Sequence, residues 1–107
     1  MSDRIVVDSV EDRVVHDEAN HRYVLMRGDK ELGREEYDLD NGVIRFLSTI
    51  VPDTGERGLG GKLVAGALDD VRARGDLHLV PVCPFVKRYI EKNEQYQDLL
   101  AAPLDEL

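Results

Sequence analysis

The run Gly55-Glu56-Arg57-Gly58-Leu59-Gly60-Gly61-Lys62 stands between an apolar stretch that ends at Pro52 and a periodic helical stretch that begins near Leu59. A strand, a glycine-rich loop and a helix N-terminus in that order present unpaired backbone N–H groups and the positive end of a helix dipole, which is the backbone chemistry a phosphate group needs. Glycine takes positive φ without strain and lets a pyrophosphate approach the main chain, while Arg57 and Lys62 add charge. No Gly-Lys-Ser/Thr closes the run, so it is not a nucleoside-triphosphate loop. A dinucleotide fingerprint would need a third glycine three residues beyond Gly60 and an acidic residue about 20 positions on. Glycine-rich strand-to-helix turns also occur without any ligand, so the loop alone leaves a phosphate cradle and a bare turn both open. The other reactive type is Cys83, the single cysteine. One cysteine excludes an intramolecular disulfide and a cysteine-rich zinc site, and no metal site is expected; the residue is either buried and apolar or a reactive thiol. His16, His21 and His78 have no spacing that brings one of them to it.

The elements that must position these residues follow from periodicity. Ile5-Val6-Val7 and Val14-Val15 read as short edge strands, and Tyr23 to Met26 and Leu32 to Leu39 as two further strands. Asn41-Gly42 is a strong hairpin signal, because both residues tolerate the left-handed conformation of tight turns. Val43 to Val51 is the most strand-like run: Ile44, Phe46 and Ile50 fall on one face and Val43, Leu47 and Val51 on the other, so a central strand is expected that Pro52 ends. Leu59, Leu63, Ala67 and Val71 at four-residue intervals predict a helix that stops at Gly75. Leu77 to Val82 reads as a last strand interrupted near Pro81, and Cys83-Pro84-Phe85-Val86 opens a second helix through about Asn93. The tail carries Leu99, Leu100 and Leu104 to dock.

This order predicts an α+β fold in one domain over residues 1–107: a mixed, mainly antiparallel sheet with helices packed on it. If the first helix is a right-handed crossover, the last main strand runs parallel to the third and splays from it. The glycine loop then sits at the C-terminal end of the central strand, beside the gap where ligands favour binding. With 22 acidic and 14 basic residues the formal charge is −8, which opposes association with nucleic acid or anionic lipid. No apolar run approaches membrane-spanning length and the N-terminus lacks a signal-peptide pattern, so a cytosolic location is expected.

Gly58-Leu59-Gly60 after a strand, the helix from Lys62 to Arg74, and the later Val80-Pro81-Val82-Cys83-Pro84-Phe85-Val86 with Tyr89-Ile90 together resemble the small, single-domain branch of the GNAT acetyltransferases. The closing segment Glu94 to Leu100 is similar too, and the likeness runs from about His16 to Leu100. The resemblance implies an acetyl-CoA site. Loop amides around Arg57, Gly58, Leu59, Gly60, Gly61 and Lys62 would meet the pyrophosphate, and Ile50 and Val51 the pantetheine arm. The thioester would lie between the splayed strands near Cys83 and Phe85. It also implies acyl transfer in which a neutral amine attacks the thioester, a backbone N–H stabilises the oxyanion and an acid protonates the departing thiolate. Tyr89 on the second helix is the candidate acid, or a ring packed on the sheet. Cys83, near a helix N-terminus, either takes the acetyl group covalently or lines the thioester pocket.

Two departures from the family pattern stand out. Gly55 occupies the place, three residues before the first glycine of the Gly-x-Gly pair, where the superfamily prefers Gln or Arg. Ser48-Thr49-Ile50-Val51 replaces the His-Thr-Glu-Val common in the small branch, which removes a histidine and a glutamate from the acceptor side. The expected function is therefore acetyl-CoA-dependent N-acetylation of an amine on a small molecule, a protein lysine or an N-terminus, by a monomer or small homo-oligomer. The competing reading is a non-catalytic CoA-binding or interaction module in which the cradle survives and the acceptor site does not.

Overall fold

The computed structural model describes residues 12–107, so the strand expected over Ile5-Val6-Val7 lies outside the described residues. The Val14-Val15 run forms β1, Asp12–Asp17, at the sheet edge. It is followed by β2, Arg22–Arg27, β3, Lys30–Asp40, and β4, Val43–Ile50, each antiparallel to its predecessor. Asn41 and Gly42, with φ of 51° and 79°, make the turn between β3 and β4, as the left-handed tolerance of both residues predicts. The α1 helix, Leu59–Arg74, then crosses over to β5, His78–Pro81, which pairs parallel with β4 from Val43↔His78 to Phe46↔Pro81. Last comes α2, Pro84–Lys92, with its proline in the first turn. This is the expected mixed α+β architecture.

The core lies between the sheet and α1. Leu59, Leu63, Val64, Ala67, Leu68 and Val71 are buried along one face of the helix, against Tyr23, Leu25, Tyr37, Ile44 and Phe46 from the sheet. Full burial of each large apolar side chain contributes roughly 1.5–3 kcal/mol, which anchors the start of α1 firmly under the glycine loop. The helix ends at Gly75, which adopts φ 76° and donates to Val71 O. Beyond α2 the tail returns to cover the free edge of β5: Leu100 bridges Leu79, and Ala101 N–H donates to Leu79 O at 2.9 Å. Among the described residues no helix is long and apolar enough to cross a membrane.

One irregularity decides the geometry of the site. On β3 and β4, Glu36 pairs with Ser48 but Tyr37 pairs with Phe46, leaving Leu47 as an unpaired bulge. An extra residue reverses the alternation of everything after it and strengthens the local twist. Ile44 and Phe46 are therefore buried while Ile50 is 37% exposed, so the expectation that Ile50 shares their face is corrected. Thr49 turns inward instead. The pairing of β4 with β5 stops at Phe46↔Pro81, so the last four residues of β4, Leu47 to Ile50, run on with no strand partner on that side among the described residues.

Candidate active site at the splay between β4 and β5

Three elements converge where β4 and β5 part. The first is the N-terminus of α1. Gly58 takes φ 84° and caps the helix without a side-chain hydrogen bond, and no acidic residue stands in the first turn. The first intrahelical bond runs from Lys62 N–H to Gly58 O at 3.1 Å, so the amides before Lys62 have no helical acceptor and face outward as donors. A Cβ built at Gly55 or Gly58 would meet nothing within 4 Å, so the loop is open to an approaching group. At Gly60 the reason for glycine is different: a Cβ would fall 2.7 Å from Phe85 Cζ. The ring of Phe85 occupies the space a side chain would fill.

The second element is α2, whose first turn meets the first turn of α1. Tyr89 Cε1 would lie 3.6 Å from a Cβ on Gly61, and the Tyr89 ring sits 6.1 Å from that of Tyr96. Burial, with a smaller push from the Asp69 charge, raises the Tyr89 hydroxyl above its ordinary range, so it stays protonated at neutral pH. Phe85, Arg88, Tyr89 and Lys92 line a cavity of about 150 Å³, a local pair of cations on a chain of net charge −8. A larger cavity, about 700 Å³, lies elsewhere, between β1 and α1. The only charged side chains on its wall, Asp12 and Lys62, are paired with each other at 2.8 Å.

The third element is the end of β4, which brings Thr49 to Cys83 and Glu35. Cys83 is the N-cap of α2, 7% exposed, with its N–H donating to Phe46 O at 2.9 Å. Its Sγ lies 3.3 Å from Thr49 Oγ1. Burial pushes the thiol up, but the Thr49 hydroxyl and the N–H groups of Val86 and Phe85 more than offset it, and the net shift is downward. Thr49 Oγ1 in turn donates to Glu35 Oε1. Glu35 stands directly opposite Thr49 in the β3–β4 register and is fully buried, and its Oε2 has no partner among the described residues. Desolvation, reinforced by the Cys83 and Glu36 charges and only partly relieved by Thr49, pushes its carboxyl up to about 8.

Of the residues singled out in the sequence, the fold thus brings together Gly58, Leu59, Gly60 and Gly61 with Phe85 and Tyr89, and Cys83 with the end of β4. Cys83 caps α2 and Tyr89 stands six positions further along, an axial rise of about 9 Å. Arg57 stands exposed in the loop, and Val51 packs partly buried on the core while Ile50 faces outward. Lys62 is already engaged, since the carboxylate of Asp12 that holds its Nζ also takes two bonds from Arg27. Those two cations hold the Asp12 carboxyl well below the usual range. Glu35 and Thr49 were not singled out. Parity offered a signal for Glu35, because a strand that turns Tyr37 inward turns Glu35 inward as well.

The site is thus a mixed sheet whose parallel pair splays beside a glycine-started helix N-terminus, with the Cys83 thiol at the fork. The chain belongs to the GCN5-related N-acetyltransferase family, whose model matches residues 22–99. No curated protein matches it. Among solved structures, a GCN5-like candidate N-acetyltransferase from Staphylococcus aureus, known from solution NMR, shares the fold. The likeness has a TM-score of 0.62 at 24% identity, over 84% of this chain and 88% of that one.

Proposed function

We propose that the chain is an acetyl-CoA-dependent N-acetyltransferase acting on an amine. The observation that carries this reading is the continuity of one path. Outward amides at Gly58 to Gly61 suit a pyrophosphate, the unpartnered edge of β4 from Leu47 to Ile50 suits the amide-bearing pantetheine arm, and the path ends at the Cys83 thiol. The open space over Gly55 and Gly58 fits close approach of a phosphate, and Arg57 with Arg88 and Lys92 supplies the positive charge that the chain as a whole lacks. Acidic residues elsewhere favour a cationic acceptor by long-range attraction.

In the first reading the neutral amine attacks the thioester directly and Tyr89, protonated at neutral pH, supplies the proton to the departing thiolate. A specific observation favours a second route: the lowered thiol of Cys83, held by Thr49 and the amides of α2, is a competent nucleophile, so the acetyl group rests on Cys83 before reaching the amine. Calorimetric titration with acetyl-CoA and with CoA at moderate salt tests the common core of both routes. Saturable one-to-one binding is expected, and no heat at millimolar ligand would overturn the reading. Intact mass after exposure to acetyl-CoA then separates the routes, since one added acetyl on the wild type and none on Cys83→Ala marks the covalent one.

A further inference from the structure

We propose that Glu35, Thr49 and Cys83 form a directional proton relay, in which the buried carboxylate of Glu35 takes the Cys83 thiol proton through the Thr49 hydroxyl. The role given to it in acyl transfer rests on the function proposed above. The polarity of the chain follows from donor counting. With Glu35 ionised, Thr49 gives its one hydroxyl proton to Glu35 Oε1, which leaves the S–H to donate across the 3.3 Å contact between Thr49 Oγ1 and Cys83 Sγ. Every bond then points from sulfur toward the carboxylate. Neither Glu35 nor Thr49 touches the acyl group; they position and exchange the proton of the group that does.

The surroundings explain why a carboxyl is kept there. Glu35 is fully buried with Oε2 unpartnered among the described residues, an arrangement that costs stability and that a role in the site accounts for. The groups that act on it from the packed elements are Thr49 and the Ser48 main chain on β4, Cys83 at the start of α2, and Glu36 on its own strand. From β2 it is flanked by Tyr23, whose hydroxyl is turned away to Asp70 at 2.7 Å. No cation hydrogen-bonds to it among the described residues. A carboxyl raised to about 8 beside a lowered thiol draws the two acids closer in strength, which lowers the cost of passing a proton between them.

In the fraction of molecules with Glu35 ionised, which grows as pH rises toward about 8, the S–H proton passes to Thr49 Oγ1 while the Thr49 proton passes to Glu35 Oε1, leaving a thiolate among the α2 amides and a neutral carboxylic acid, with the single negative charge moved but conserved. The thiolate forms a bond to the thioester carbonyl carbon and the C–S bond to CoA breaks. The CoA thiolate leaves and takes back, through Thr49, the proton held by Glu35. An amine then attacks the acetyl-Cys83 carbonyl: a C–N bond forms, the C–S bond breaks, and the amine proton restores the Cys83 thiol.

Cys83 alkylation by iodoacetamide, followed by mass from about pH 5 to pH 10, tests the relay on the full chain without any CoA. Two interacting acids titrate in two steps, so the wild-type rate rises in two phases and Glu35→Gln in one. Thr49→Val, which removes the hydroxyl, reacts in one phase and about five- to tenfold more slowly near neutrality, for loss of the bond that stabilises the thiolate. Thr49→Ser keeps the hydroxyl and follows the wild type. Superimposed profiles for wild type and Glu35→Gln overturn the relay, as does a Thr49→Val profile that matches Thr49→Ser. Should Glu35→Gln fail to fold, the two Thr49 variants decide alone. Because no CoA is present, a two-phase profile alongside absent CoA binding strikes the proposed function and leaves the relay standing, and superimposed profiles with CoA binding intact strike only the relay.

Discussion

Two residues apart on β3, Tyr37 and Glu35 both face inward, and the fold treats their polar atoms in opposite ways. The Tyr37 hydroxyl lies 2.6 Å from His16 Nε2. His16 stacks on Tyr23 at 4.3 Å and accepts from Arg74 at Nδ1, 2.9 Å away, and Tyr23 donates to Asp70. The hydroxyls and ring nitrogens of that cluster are all partnered, as a buried polar network must be to support a fold. Glu35, equally deep, makes one side-chain bond and leaves an oxygen orphaned. A protein that satisfies one cluster completely and leaves its neighbour short shows where stability was given up, and the shortfall sits within one hydroxyl of the only thiol.

The comparison predicts opposite signs for isosteric changes in the two clusters. The largest effect is expected at Glu35. Its folded carboxyl titrates at about 8 against an ordinary 4.5, so the folded state binds more protons than the unfolded chain between those values. Wild-type stability is therefore greatest at the acid end of that window and falls as pH rises through it, by a few kcal/mol. Glu35→Met removes that slope and stabilises the protein at pH 8 by about 2–4 kcal/mol, read by urea unfolding at pH 5 and pH 8. A wild-type stability that is flat between those values would mean that Glu35 ionises like a surface carboxyl.

At the satisfied cluster the sign reverses. Tyr23→Phe leaves Asp70 without its buried donor and is expected to destabilise by about 1–2 kcal/mol, and Tyr37→Phe by about 1 kcal/mol; stabilisation by either change would erase the contrast. The smallest effect serves as a baseline. Arg45 pairs with Asp38 at 2.6 Å on the exposed face of the sheet, and Arg45→Ala should shift stability by no more than about 0.5 kcal/mol, measured in the same unfolding series.

The frame of the molecule was legible because its signals are local. The four-residue spacing from Leu59 to Val71, the Asn41-Gly42 turn, the stop at Gly75 and Pro84 in a first turn each act within one element, and together they order the sheet and place the glycine loop at the end of β4. The site was less legible because it depends on register and on distant pairs. Neither a glycine nor a proline marks the bulge at Leu47, yet that single residue sends Ile50 outward and Thr49 to Glu35 and Cys83. Glu35 is hidden within a charged run that reads as a solvated strand. Lys62, placed beside a phosphate by its position in the loop, is held by Asp12 at a separation of 50 residues.

The most direct measurement is a carbon-13 NMR titration of the glutamate side-chain carboxyl carbons together with the Cys83 Cβ. One glutamate, lost in Glu35→Gln, should titrate near pH 8 and share its inflection with Cys83. A Glu35 signal that titrates in the acidic range, with Cys83 moving alone at alkaline pH, would contradict the coupling of the buried carboxyl to the thiol.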